Sequence, residues 1–202
     1  MSKYAPQADR WTETAYADPS GYLAHRAELI ASLGPRLEPG ERVLDLACGD
    51  AGLASFLPLD YLGADASPEM VAAARRQGRD VVEADLNDFV PPAPVAATLC
   101  FRAIYYARDR RAFFEHVAGF TEKKLVFDLN PRQYRLEDAR ADLEAAGFDR
   151  LVLRPFLVPQ TVALPRPARG LLVALERSGP LARLLLRERF SYVCAAFRRT
   201  NL

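Results

Sequence analysis

Val43-Leu44-Asp45-Leu46-Ala47-Cys48-Gly49-Asp50-Ala51-Gly52 is the stretch from which the rest of the chain becomes readable. Its first five residues form an apolar run of strand length broken only by Asp45, and a loop of small residues follows. A buried strand that passes through such a loop into a helix is the opening unit of a parallel α/β sheet. Outward from it the alternation continues. Asp18-Pro19 starts a helix that Gly34-Pro35 stops, by side-chain capping at one end and by the proline and glycine at the other. Further strands are predicted over 61–65, 80–85, 95–101, 124–129, 151–154 and 190–197, with helices over 68–77, 109–119 and 136–146 between them. The expected fold is a doubly wound α/β domain.

The chain has 202 residues, enough for one domain with a substantial core, and we expect a single domain over 1–202. With 50% hydrophobic and 26% charged residues, disorder and fibrous repeats are excluded. No apolar run approaches the roughly 18 residues that a membrane-crossing helix needs. The amino terminus lacks the basic-then-apolar order of a secretory signal, so a cytoplasmic location is expected. Three scattered cysteines and two histidines, His25 and His116, offer no zinc spacing, and no metal is expected. The net charge of +1 conceals an asymmetry. Residues 150–202 contain ten arginines against two glutamates, a net of +8, which leaves −7 on the rest of the chain. That basic part has no lysine and no aromatics interleaved with its arginines, so nucleic acid is not the expected partner.

Ligands of an open parallel sheet bind beyond the carboxyl ends of its strands. Asp45, Asp65 and Asp85 fall at or near three such ends, each 20 residues from the next. Residues 47–52 also fit a relaxed dinucleotide fingerprint, which keeps a nicotinamide or flavin oxidoreductase in view. Charge separates the two readings. A diphosphate at this loop would face Asp50 with Asp45 behind it, and like charges repel strongly once water is excluded. A cofactor that carries an ammonium and a sulfonium, and no phosphate, is favoured by the same acids. Asp65 is placed to take a pair of ribose hydroxyls.

Val43-Leu44-Asp45-Leu46-Ala47-Cys48-Gly49 resembles the V-L-D-L-G-C-G motif of class I S-adenosylmethionine-dependent methyltransferases. Gly63-Ala64-Asp65-Ala66-Ser67-Pro68-Glu69-Met70 resembles their G-x-D-x-S-x-x-M segment, and Glu83-Ala84-Asp85-Leu86 their adenine-binding acid and its neighbour. The resemblance implies a Rossmann-like seven-stranded sheet, mostly parallel with an antiparallel last strand, and S-adenosylmethionine as cofactor. It places Asp45, Ala47 and Gly49 at the methionine half, Asp65 at the ribose, and Ala66, Asp85 and Leu86 at the adenine. Phe101 and Arg102 would face the methionine and the transferred methyl. An N-terminal helical cap over 1–38, with Tyr16, Tyr22 and Arg26, would fold over the cofactor. Ala47 departs from the family glycine, which is tolerated if the backbone there keeps φ negative.

Methyl transfer needs alignment and exclusion of water more than it needs a base. The candidates for a base are His116, Tyr105 and Tyr106. Asn130-Pro131-Arg132-Gln133-Tyr134 invites comparison with the N-P-P-Y motif of amino methyltransferases, but it follows the fifth strand rather than the fourth and is set aside. An insertion over 155–188 precedes the last strand and is long for a connection. Its leucines, including Leu171, Leu172, Leu181 and Leu184 to Leu186, admit two readings. One is a helical flap packed on the sheet. The other is an apolar lid, or a patch touching lipid, for a hydrophobic acceptor. The function expected is methyl transfer to an O or C nucleophile of a small, apolar metabolite. The alternatives are the oxidoreductase above and an RNA or protein methyltransferase.

Overall fold

The computed structural model describes residues 5–179, 182 and 190–199. Seven strands form one sheet: β1 (Arg42–Leu46), β2 (Asp60–Asp65), β3 (Val81–Glu83), β4 (Val95–Cys100), β5 (Thr121–Leu129), β6 (Arg150–Pro155) and β7 (Tyr192–Phe197). Their order across the sheet is β3-β2-β1-β4-β5-β7-β6. β1 to β5 pair in parallel, while β7 runs antiparallel to both β5 and β6. The sheet reverses direction of growth between β1 and β4, and that switch opens a crevice above Asp45, whose neighbours in register are Gly63 and Leu99.

Both faces are covered, as a parallel sheet requires. Alternate residues divide between the two faces. Leu44, Leu46, Leu125 and Phe127 pack on one side with Phe113, Phe114 and Leu143, from α4 (Arg110–Ala118) and α5 (Leu136–Ala145). Val43, Leu99 and Val126 pack on the other with Leu23, Ile30 and Leu33. These last come from or adjoin α2 (Pro19–Ser32), which follows a short α1 (Trp11–Ala15) in the N-terminal segment. Two further α-helices among the described residues are α3 (Pro68–Arg76), beside β2 and β3, and α6 (Arg166–Arg177), within the insertion.

The helix starts follow from the capping residues. Asp18 accepts a hydrogen bond from Gly21 N at 2.9 Å, and Asp109 accepts one from Ala112 N at 2.7 Å. α2 is fixed at its other end by Lys124, a fully buried residue of β5. Its Nζ donates to Leu33 O at 2.8 Å and to Ala31 O at 3.3 Å. Those are the carbonyls that a helix end leaves without partners, and a cation there also meets the negative end of the helix dipole. Burial, with Lys123 beside it, lowers the Lys124 pKa to about 8.

α6 does not behave as the leucine pattern suggests. Its only fully buried described residue is Glu176, while Leu171 is 73% exposed. The Glu176 carboxylate bonds His25 Nε2 at 2.5 Å and accepts from Leu157 N at 2.6 Å. A buried polar anchor thus ties the insertion to α2 where leucines were expected to. Leu181 and Leu184 to Leu186 lie outside the described residues. No described helix is long and apolar enough to cross a membrane.

Candidate cofactor and acceptor site

A cavity of about 430 Å³ opens at the carboxyl ends of β1, β2, β3 and β4. From the sheet it takes Asp45, Asp65, Asp85 and Leu86, with Ala47 and Gly49 from the first loop. From β4 onward it takes Phe101, Arg102, Tyr105 and Tyr106, and α2 contributes Arg26 from above. The three aspartates therefore converge, as their spacing implied.

Each aspartate is held differently. Asp45 is buried, and Tyr61 Oη donates to it at 2.7 Å. Burial raises its pKa to about 7, against the Tyr61 hydrogen bond and the Arg26 charge. Asp65 accepts from Gly49 N at 2.8 Å through one oxygen and from Ser67 N at 2.9 Å through the other. Burial raises its pKa too, while those two hydrogen bonds lower it. Each oxygen retains a lone pair for a further donor. Asp85 accepts from Asn87 N at 2.8 Å and from Arg108 at 3.1 Å, and its pKa is lowered, first by Asn87.

The first loop is built in the left-handed region, with φ of 57° at Ala47, 61° at Gly49 and 53° at Ala51. The condition set for an alanine at this position, a negative φ, is not met. The alanine tolerates the conformation at a cost of roughly 1–2 kcal/mol because β1 and β2 fix the chain on either side. Cys48 N, the next residue, is tied to Ala64 O at 3.1 Å. At Gly49 a side chain is disfavoured on a second ground, since a Cβ would sit 3.2 Å from the Trp11 ring and push it aside.

Asp50 lines the cavity too, but its carboxylate is engaged within the protein. It accepts from Thr12 N at 3.0 Å, Thr12 Oγ1 at 2.6 Å and Gly52 N at 3.2 Å, so its charge is spent on fastening the N-terminal segment. Trp11 and Thr12 join the cavity by that route. Sequence reasoning missed both, because the only signal is a contact 38 residues away.

Arg26 is 4% exposed and stacked among rings, with its guanidinium carbon 4.4 Å from the Phe101 centroid, 4.9 Å from Tyr22 and 5.8 Å from Phe156. Nη2 donates to Tyr22 Oη at 3.0 Å, and Nε finds no partner among the described residues. Burial opposes its charge, but Tyr22, Tyr16, Asp128 and Asp45 outweigh that and raise its pKa. Tyr22 itself does not line the cavity. It stands behind Arg26, 4.6 Å from the Tyr16 ring and 4.9 Å from Phe156. His116 is also outside the cavity, where its Nε2 bonds Phe89 O at 2.9 Å and its ring meets Phe120 edge-on. α4 turns it towards the core, so it is no candidate base. Tyr105 and Tyr106 do line the cavity, half-exposed, with ring centroids 4.4 Å apart.

Asp128, near the end of β5, was not singled out from the sequence. Its Oδ1 accepts from Arg102 N at 2.7 Å. Asn130 follows β5, as the strand count has it, and Tyr134 lies under the Arg110 guanidinium at 5.3 Å, a packing role.

A buried carboxylate and a buried guanidinium with an unpartnered Nε, lining one cavity, are complementary to a zwitterionic amino acid. Asp65, with lone pairs to spare, suits a ribose diol beside it. These features fit a nucleoside joined to an amino acid and disfavour a diphosphate. The fold and site thus define a Rossmann-like nucleoside-cofactor domain. Residues 44–124 match the family model for a methyltransferase domain. The trans-aconitate 2-methyltransferase of Mycobacterium tuberculosis is 38% identical over 104 residues, covering 46% of this chain and 39% of that protein. The chain spans about two fifths of the length of the curated relatives it matches. Across nearly the whole chain, the fold is that of the Haloferax volcanii putative methyltransferase solved with the Trm112 activator. That likeness has a TM-score of 0.66 at 15% identity and covers 98% and 99% of the two chains. The Synechocystis magnesium protoporphyrin IX methyltransferase with bound S-adenosylmethionine gives 0.60 at 16% identity, over 94% of this chain and 85% of that one. Residues 44–124 thus match a methyltransferase domain, and nearly the whole chain shares the fold of solved methyltransferases.

Proposed function

We propose that the protein transfers a methyl group from S-adenosylmethionine to a carboxylate oxygen of a small organic acid. The observation that carries this reading is the cavity's pairing of cofactor-type acids with arginines. S-adenosylmethionine supplies an electrophilic methyl on a sulfonium. In this reading Asp65 holds the ribose hydroxyls, while Asp85, Ala66 and Leu86 receive the adenine. Asp45 meets the ammonium and Arg26 the carboxylate of the amino-acid end, while Trp11, Thr12 and Tyr16 close over it and exclude water. A carboxylate arrives already deprotonated, so alignment suffices. One of its oxygens bonds the methyl carbon as the carbon–sulfur bond breaks and the electron pair stays on sulfur. A methyl ester and S-adenosylhomocysteine result, and no proton moves.

The matched relatives named for trans-aconitate, an anion, support a small acid as acceptor. The apolar acceptor expected from the insertion has less support, because none of its described leucines lines the cavity. Calorimetry tests the cofactor: S-adenosylhomocysteine is expected to bind and NADH not to, and binding of NADH alone would overturn the reading.

The Asp45 pKa gives a pH signature. In the ligand-free protein the carboxyl carries its proton below about 7. To meet an ammonium it must ionise, so binding releases that proton at lower pH. S-adenosylhomocysteine affinity is expected to level off above about pH 8 and to fall towards tenfold per unit below about pH 6.5. Titration by calorimetry at several pH values checks this, and Asp45→Asn should bind weakly with a flat profile.

A further inference from the structure

We propose that Arg102 is the residue that receives the acceptor's carboxylate, and that Asp128 is the positioning residue that aims it; the proposal rests on the methyl-transfer reading of the same cavity. The charges of the cavity are sorted along the sheet. Asp45, Asp65 and Asp85 belong to the β1, β2 and β3 side, where a cationic cofactor is accommodated. Arg102 follows β4, on the other side of Asp45 and about two strand spacings, roughly 10 Å, from Asp65. An anion entering beside the cofactor meets attractive potential on that side and repulsion towards the three aspartates.

Arg102 suits that role in its backbone and in its side chain. The guanidinium is exposed, lines the cavity and makes no hydrogen bond or ion pair with a described residue. Arginine matches a carboxylate with two parallel hydrogen bonds, which fixes the orientation of the acid as well as its charge. The backbone is held at φ 55°, a conformation unfavourable to any residue with a Cβ. Surroundings that over-determine such a residue are characteristic of functional sites. Here the determinant is the Asp128 carboxylate, which accepts the Arg102 N–H at 2.7 Å. Without it the turn after β4 would relax towards negative φ and carry both Phe101 and the guanidinium out of place. Asp128 contributes negative charge of its own near Arg102, but Arg26 faces it from α2 and offsets that charge.

Initial rates with trans-aconitate, benzoate and octanoate as acceptors, beside S-adenosylhomocysteine affinity for each variant, test the proposal. For whichever acid is methylated, Arg102→Gln is expected to raise KM by about thirtyfold, with cofactor affinity within about twofold of the parent. Arg102→Lys should recover part of the loss. Arg102→Gly should raise KM as much as Gln does while raising Tm, because it relieves the left-handed strain. A merely structural arginine would not move these two readouts in opposition. Asp128→Ala should raise KM about tenfold, and Asp128→Asn, which keeps a carbonyl acceptor for the N–H, should recover most of it. Unchanged KM in Arg102→Gln overturns the proposal, as does cofactor affinity falling in parallel with it. If the parent protein binds S-adenosylhomocysteine but methylates none of the three acids, the carboxylate acceptor and this role for Arg102 fall together. If it binds no S-adenosylhomocysteine, the cofactor reading itself has failed.

Discussion

Asp65→Ala is expected to weaken binding of both S-adenosylhomocysteine and 5′-methylthioadenosine by at least about a hundredfold, while the protein still folds. Two hydroxyl hydrogen bonds to a charged acceptor are lost, each worth roughly 1.5–3 kcal/mol. The fold should tolerate the change, because the carboxylate is only half-buried and Gly49 N and Ser67 N can turn to water. A fall of a few degrees in Tm is expected from those two unpaired donors. Asp65→Asn separates the contributions: its one carbonyl oxygen can accept from only one of Gly49 N and Ser67 N, so it should restore part of the Tm loss, but not affinity. Calorimetry and a thermal melt read both. Parent-like affinity in Asp65→Ala would remove the ribose assignment and the orientation of the whole cofactor with it.

Arg26→Met is expected to lower S-adenosylhomocysteine affinity about a hundredfold and to leave 5′-methylthioadenosine nearly untouched. The second ligand lacks the amino-acid end, so the pair isolates the carboxylate contact from every other contribution. Methionine fills much of the same volume among Tyr22, Phe101 and Phe156, and replacing a buried charge by an apolar side chain is often neutral for stability. The electrostatic consequence is more specific. Asp45 loses the cation that restrains its pKa, so the pH below which cofactor binding weakens should move upward. Equal losses for the two ligands would mean that Arg26 supports the cavity wall and touches no carboxylate.

The sheet and the aspartates were legible because they are written locally. A strand-length apolar run, a small-residue loop and a capped helix repeat at intervals of 20 residues, and Asp45, Asp65 and Asp85 fall at fixed points of that repeat. What resisted reading is non-local. Asp50 lines the cavity, yet its oxygens are taken by Thr12, far off in the chain. Asp128 resembles any acid near a strand end, and its importance depends on the hydrogen bond to Arg102, set by the pairing of β4 with β5. Ala47 and Arg102 adopt positive φ against their residue type, which sequence propensity cannot announce. In α6 the period of the leucines pointed to an apolar contact, and the buried residue proved to be Glu176. A single polar side chain with two partners outweighed the pattern.

That anchor bears on how the protein could be re-engineered. An insertion attached by leucines alone could be exchanged between relatives like a cassette, since apolar faces accept many partners. Glu176 is joined to His25, and the His25 ring stacks on Phe156 at 5.2 Å, the same phenylalanine that flanks Arg26. A transplanted insertion without an acid at that position would leave the buried His25 Nε2 without its present partner, one residue away from Arg26. Grafts into this scaffold will have to carry the glutamate, or replace histidine and glutamate together.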